Sequence, residues 1–194
     1  MDQAPGNREQ LISTSLRLFA ERGYEAVGVA ELAEAAGVTK PTLYHYFGSK
    51  RGLLGAIIAE RGGPLLERLR SIAAAADPGD PPLVLERLAT AMAAAARSDP
   101  AFARLRLCLA FAPLGSEGGA AAGAFNAELF GLVEAYFIAA AERHGNMRGR
   151  SRAYAGTFIG TVDSYVGFYL AGQSKLDEAV VRALVRQFLY GIFS

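Results

Sequence analysis

Residues 29–51, VAELAEAAGVTKPTLYHYFGSKR, constrain this chain more than any other stretch. They read as two short helices with a tight turn between them, followed by the start of a third. The first, residues 30–36, places Leu32, Ala33 and Ala36 on one face at i, i+1 and i+4, a small buried stripe. Gly37 ends it, because glycine accepts the left-handed backbone of a helix terminus at little cost. Thr39 suits the N-cap of the second helix, and Pro41 falls in the first turn, where a missing N–H is harmless. That second helix, residues 40–47, turns Leu43 and Phe47 inward at i, i+4. Lys40, Thr42, Tyr44, His45 and Tyr46 are left facing outward or sideways. Two short helices with a glycine turn predict helix-turn-helix geometry, whose second helix lies in the major groove of DNA.

Charge sharpens this reading. Residues 39–51 hold Lys40, Lys50 and Arg51 and no carboxylate, whereas the whole chain has a net charge of only +1. That is a concentrated patch on a near-neutral protein. Ser49 reads as the N-cap of the third helix, so Lys50 and Arg51 occupy its first turn, where the macrodipole favours acids. A phosphate bridging the free N–H groups and Lys50 would reverse that penalty.

The run GVTKPTLYHYFGSKRGLL resembles the recognition region of the TetR family of bacterial transcriptional repressors, and LFAERGYEAVGVAELAEAAGV before it is similar to the family's first two helices. The resemblance covers about fifty residues and implies that Tyr44, Tyr46 and Lys50 hold phosphates. It places Lys40, Pro41, Thr42 and His45 where bases are read or approached. One departure stands out. The family has Ser or Thr just before the second helix, capping it and touching a phosphate. Here that place is Val27-Gly28, so glycine must cap and the hydroxyl contact is absent.

The remaining chain reads as helical. A first helix over residues 8–22 has Ile12, Leu16, Phe19 and Ala20 inward, is stopped by Gly23, and is followed by Tyr24 packing beneath the helix-turn-helix. Residues 1–7 are polar, with Pro and Gly, and read as disordered rather than as a secretory signal. The helix from Ser49 carries Leu53, Leu54, Ile57 and Ile58 and later Leu65, Leu66, Leu69 and Ile72, with Gly62-Gly63-Pro64 expected to interrupt it, either as a mechanical hinge or as a plain break. DPGDPP at 77–82 is the clearest breaker. Helices are expected over 83–97, from Ser98-Asp99-Pro100, over 124–144 and over 176–193, with a mobile small-residue stretch at 113–123. The single cysteine, Cys108, excludes a disulfide framework within the chain and fits a reducing cytoplasm.

Residues 153–172, AYAGTFIGTVDSYVGFYLAG, approach the length of a membrane span, but Asp163 at the centre argues for a buried interface helix instead. Gly156, Gly160 and Gly167 would let a partner helix approach closely. The last helix shows Val180, Val181, Leu184, Val185, Phe188, Leu189 and Ile192, a stripe wider than one core face requires. By resemblance, the last two helices of each chain pair into a four-helix homodimer bundle, which would set two recognition helices on an inverted-repeat operator in double-stranded DNA.

The expected architecture is therefore all-α. An N-terminal three-helix helix-turn-helix head, residues 1–52, is joined to a C-terminal helical ligand-binding and dimerisation domain, residues 53–194. The resemblance implies a cytoplasmic repressor released from its operator by a small-molecule effector. Met92, Phe102, Leu105, Cys108, Phe111, Tyr136, Phe137, Tyr154, Phe158 and Tyr165 could wall the pocket, although an aromatic stripe at helical spacing is more often plain core. Such an effector would be apolar or aromatic, and cationic if Asp163 faces the cavity. Cys108 either senses oxidants or packs as an inert thiol, and its apolar flanks favour packing. A helical dimer with a vestigial head acting through protein partners is the alternative. An enzyme has the least support: His45 and His144 neighbour no nucleophile, and there is no Cys/His metal spacing, phosphate-cradling glycine loop or carboxylate pair in an apolar setting.

Overall fold

The computed structural model describes residues 6–191, at Asn146 the backbone alone, and every regular element among them is helical. In order they are α1 (Asn7–Arg22), α2 (Val29–Ala35), α3 (Lys40–Phe47), α4 (Lys50–Ile57), a π-helical turn (Ile58–Gly62), α5 (Gly63–Ala74), α6 (Pro81–Ser98), α7 (Pro100–Ala110), α8 (Glu117–Arg143), a 3-10 turn (Gly145–Met147), α9 (Ser151–Leu170) and α10 (Glu178–Tyr190). Ile192 and residues 1–5, on which sequence expectations fell, lie outside the described residues.

Two compact units share the chain: residues up to Gly63 with Ala101–Phe125, and Pro64–Pro100 with the residues from Asn126 on. In the first, α1 packs on α2, α3 and α4. Leu11, Ile12, Phe19, Val27, Leu32, Leu43, Leu53, Leu54 and Ile57 are all fully buried there. The turn between α2 and α3 needs a left-handed residue, and Gly37 supplies it at φ 66°. In the second unit α6 packs on α9 and α10. Its core holds Leu69, Leu85, Leu88, Val133, Phe137, Phe158, Val162 and Leu184. Asp80 caps α6 by accepting from the Leu83 N–H at 3.2 Å, and Asp177 caps α10 by accepting from Val180 at 3.0 Å.

Three expectations need correction. Gly62-Gly63-Pro64 does not interrupt the helix: α4, the π-turn and α5 follow one another without a gap. Pro64 lacks an N–H and its ring would press on the carbonyl four residues back, and the wider π-turn before it accommodates both. The 113–123 stretch is helical from Glu117 onward, extending α8 well before residue 124. The last helix starts at Glu178 rather than at 176, because Asp177 caps it, and Gly191 at φ 76° follows its last residue, Tyr190. Among the described residues α8, not α9, is the helix long and apolar enough to cross a membrane by length and composition. Its Phe125, Leu129, Val133, Tyr136, Phe137 and Ala140 are buried within the protein, as in a core helix.

Candidate nucleic-acid interface

The proposed reading helix α3 is built from its ends inward. Thr39 caps it, its Oγ1 accepting from the Thr42 N–H at 3.3 Å and lying 2.9 Å from the Thr42 hydroxyl. Pro41 sits in the first turn, and Gly48 at φ 71° closes the last. Leu43 is fully buried and fixes the helix's inner face, with Phe47 half-buried beside it. That orientation leaves Lys40, Pro41 and His45 exposed, Thr42 half-buried, and Tyr44 and Tyr46 exposed at 48% and 41%. His45 meets Tyr46 edge-on at 5.4 Å between ring centres.

Ser49 caps α4, accepting from the Gly52 N–H at 2.9 Å. Lys50 is the first residue of that helix; its Nζ lies 4.1 Å from the centre of the Tyr24 ring, a cation–π contact. Arg51 is exposed next to it and extends the positive edge, although sequence reasoning counted it only as charge. No acid occupies the first turn of α3 or α4. The seven residues expected to meet DNA are thus brought together on α3 and the first turn of α4. As expected, Gly28 is the N-cap of α2 and offers no side-chain cap.

The expected effector residues divide between the two units. Phe102, Leu105, Cys108 and Phe111 fall in the first, where Phe102 and Leu105 are buried and Cys108 and Phe111 exposed, Phe111 at 84%. Met92, Tyr136, Phe137, Tyr154, Phe158, Asp163 and Tyr165 fall in the second. There Phe137 and Tyr154 line a cavity of about 420 Å³ with Met147, Thr157, Thr161, Gln187, Phe188 and Leu189. Phe158 stands behind it, 5.4 Å from the Phe188 ring centre, and the Tyr165 hydroxyl donates to Gln187 Oε1 at 3.1 Å. Met92 is core, and Asp163 is half-buried and engaged within the protein. The spacing of Tyr154, Thr157 and Thr161 at i, i+3 and i+7 was a legible signal for this wall. Tyr136 is buried beside it, its phenol pushed up to about 12 by burial and by the charges of Asp80 and Asp77.

Residues 11–57 match the sequence profile of bacterial regulatory proteins, tetR family. Residues 11–57 are thus a TetR-family region. It is similar to the transcriptional repressor BdcR of Escherichia coli, 42% identical over 66 residues, 32% of this chain and 34% of the relative. It is similar also to the repressor KstR2 of Rhodococcus jostii, 37% identical over 70 residues, 36% of this chain and 34% of that one. The likeness spans about a third of these relatives' length. Beyond it the fold alone is shared. The regulator FadR of Bacillus subtilis, solved with stearoyl-CoA, superposes with a TM-score of 0.77 at 20% identity, covering 95% of this chain and 98% of that one. The exposed tyrosines of α3 lie within the part that matches these bacterial regulatory proteins.

Proposed function

We propose that this TetR-family chain is a ligand-responsive repressor that binds an inverted-repeat operator as a homodimer and releases it when a small apolar or aromatic molecule binds. The presentation of α3 carries the reading. Leu43 anchors its inner face while Lys40, Pro41, Tyr44, His45 and Tyr46 stand in solvent beside Lys50. Tyr44, Tyr46 and Lys50 take phosphates, which set affinity; Lys40, Pro41, Thr42 and His45 approach base edges, which set sequence. Function divides at residue 52, with DNA binding before it and effector binding and dimerisation after it, and the chain works in the cytoplasm.

The cavity lined by Phe137, Tyr154 and Phe188 is the effector site in this reading. Its size falls within the range of small-molecule pockets, and its few polar groups, Thr157, Thr161 and Gln187, suit orientation rather than charge recognition. A FadR of the same fold holds stearoyl-CoA, so fatty acyl compounds belong in the first panel of effectors. Dimerisation uses α9 and α10. Gly160 and Gly167 on α9 meet nothing within 4 Å where a Cβ would stand, which leaves room for a partner helix.

Selection of bound sequences from random duplex DNA by the purified chain, at stated salt, tests this. Enrichment of an inverted repeat is the expected result and supplies the probe for effector screening by release. A folded dimer that enriches nothing, with and without the effector panel, would sink the reading in favour of a vestigial head.

A further inference from the structure

We propose that Tyr24 is a positioning residue for the phosphate contact of Lys50, and that Glu117 at the start of α8 holds Tyr24 in that role. The proposal rests on the reading of Lys50 given above. All four participating segments lie in the first compact unit.

Tyr24 follows α1 in the loop before α2, yet it is only 3% exposed. Its ring packs against Phe19 at 5.1 Å between centres, and Lys50 Nζ stands over it at 4.1 Å. Its hydroxyl donates to Glu117 Oε2. The neighbouring residue repeats the link: Glu25 Oε1 accepts the N–H of Gly118 at 3.4 Å. Two consecutive residues of the loop therefore grip two consecutive residues of the first turn of α8. Gly118 makes the approach possible, since a Cβ there would stand 2.9 Å from Leu109 Cδ2 and 3.1 Å from Tyr24 Cδ1. Burial first, and then the bond to Glu117, raise the phenol's pKa above its ordinary value, so the hydroxyl stays a donor at neutral pH.

The consequence falls on Lys50. Among the described residues no carboxylate pairs with it, and it occupies the helix turn least hospitable to a cation. The face of Tyr24 is what holds its ammonium. One side of that group is turned to the ring, which leaves N–H bonds for an anion outside. A lysine otherwise samples many rotamers, so a pre-placed ammonium gives a phosphate a better target than a free one. A displacement of the first turn of α8 would move Tyr24 and release Lys50 from its place.

The test uses the full chain, the operator duplex obtained by selection, and fluorescence anisotropy over a salt series. Tyr24→Phe keeps the ring and removes the donor; Glu117→Gln keeps the shape and removes the charge. Each is expected to weaken operator binding about three- to tenfold, the range of a partly desolvated cation–π contact. In a Lys50→Ala background neither should weaken it further. The sign for Glu117→Gln is diagnostic, because deleting a negative charge beside DNA would by itself tighten binding. Tighter or unchanged binding, or a loss that persists without Lys50, overturns the proposal. Should Tyr24→Phe lower the melting temperature enough to obscure its result, Glu117→Gln decides alone. If Lys50→Ala itself binds the operator as well as the natural chain, the phosphate reading of Lys50 fails and this proposal fails with it. If Lys50→Ala weakens binding while the other two variants are silent, only this proposal fails.

Discussion

A Cβ built on Gly62 would stand 2.5 Å from Cε2 of Phe125 and 2.9 Å from Cζ of Phe102, so this corner of the π-turn is closed to any side chain. The next residue is different. Gly63 has an α-helical backbone, φ −50° and ψ −49°, and nothing within 4 Å of its Cβ position. Gly62→Ala is expected to lower stability by about 1–3 kcal/mol through overpacking. Gly63→Ala is expected to cost less than Gly62→Ala, because the entropy it removes from the unfolded chain offsets the strain of a Cβ on an α-helical residue before Pro64. Urea unfolding of the pair checks the order, and equal effects would show that the aromatic contact moves aside freely.

The missing cap of α2 makes a second prediction. Gly28 has the extended backbone of an N-cap, φ −87° and ψ 155°, with nothing within 4 Å of a Cβ. Gly28→Ser is expected to add a few tenths of a kcal/mol by capping the helix. It should also tighten operator binding, because the same hydroxyl can donate to a phosphate. Ser49→Ala, which removes an existing cap at the Gly52 N–H, is expected to cost about 1 kcal/mol. A Gly28→Ser chain that melts higher but binds no tighter would place the DNA backbone out of reach of this helix end.

Tyr136 predicts an alkaline weakness. Its hydroxyl is buried and finds no hydrogen-bond partner among the described residues, and its pKa is raised from 10.0 to about 12. The fold favours the neutral phenol, so this contribution is whole below about pH 10 and is lost as pH rises toward 12. Tyr136→Phe is expected to change stability at neutral pH by less than about 1 kcal/mol, since only an unpaired hydroxyl leaves. Above pH 10 the variant should hold its stability better than the natural chain. Matched unfolding curves at neutral and alkaline pH settle it; parallel losses would mean the phenolate finds water without unfolding.

The sequence made the helix-turn-helix legible because its signals are local. Gly37, Thr39, Pro41 and Ser49 each act on the backbone within three residues of themselves, and the structure places all four in those roles. The first turns of α8 were not legible. Gly118, Gly119 and Gly123 weaken the helix propensity of this stretch, and contacts with Tyr24, Glu25 and Leu109 help to order its start. Partners more than ninety residues away leave no periodicity to read. Pro64 misled for a related reason, because the wider turn that absorbs it is not written in residue types. In the C-terminal helices, the sequence places Phe188 and Leu189 in an interface stripe, and only the fold shows that they wall a cavity with Tyr154.

That stripe leads to the last prediction. The buried side of α9 carries Ala155, Phe158, Val162 and Val166, which leaves Gly156 and Gly160 exposed and Gly167 half-buried. Glycine inside an exposed helix is unfavourable by roughly 0.5–1 kcal/mol relative to alanine, so three of them need a reason. Close approach of a second helix is one. A Cβ at exposed Gly160 would meet nothing within 4 Å among the described residues, so Gly160→Leu should leave the folded subunit intact. In a dimer joined through α9 and α10 the same leucine would collide with the partner. The expected outcome is a chain of unchanged helical content that sediments as a monomer where the natural chain sediments as a dimer. Its operator affinity should fall steeply, because one recognition helix cannot grip two half-sites. A Gly160→Leu chain that remains a dimer would move the interface to another surface and leave the glycines of α9 unexplained.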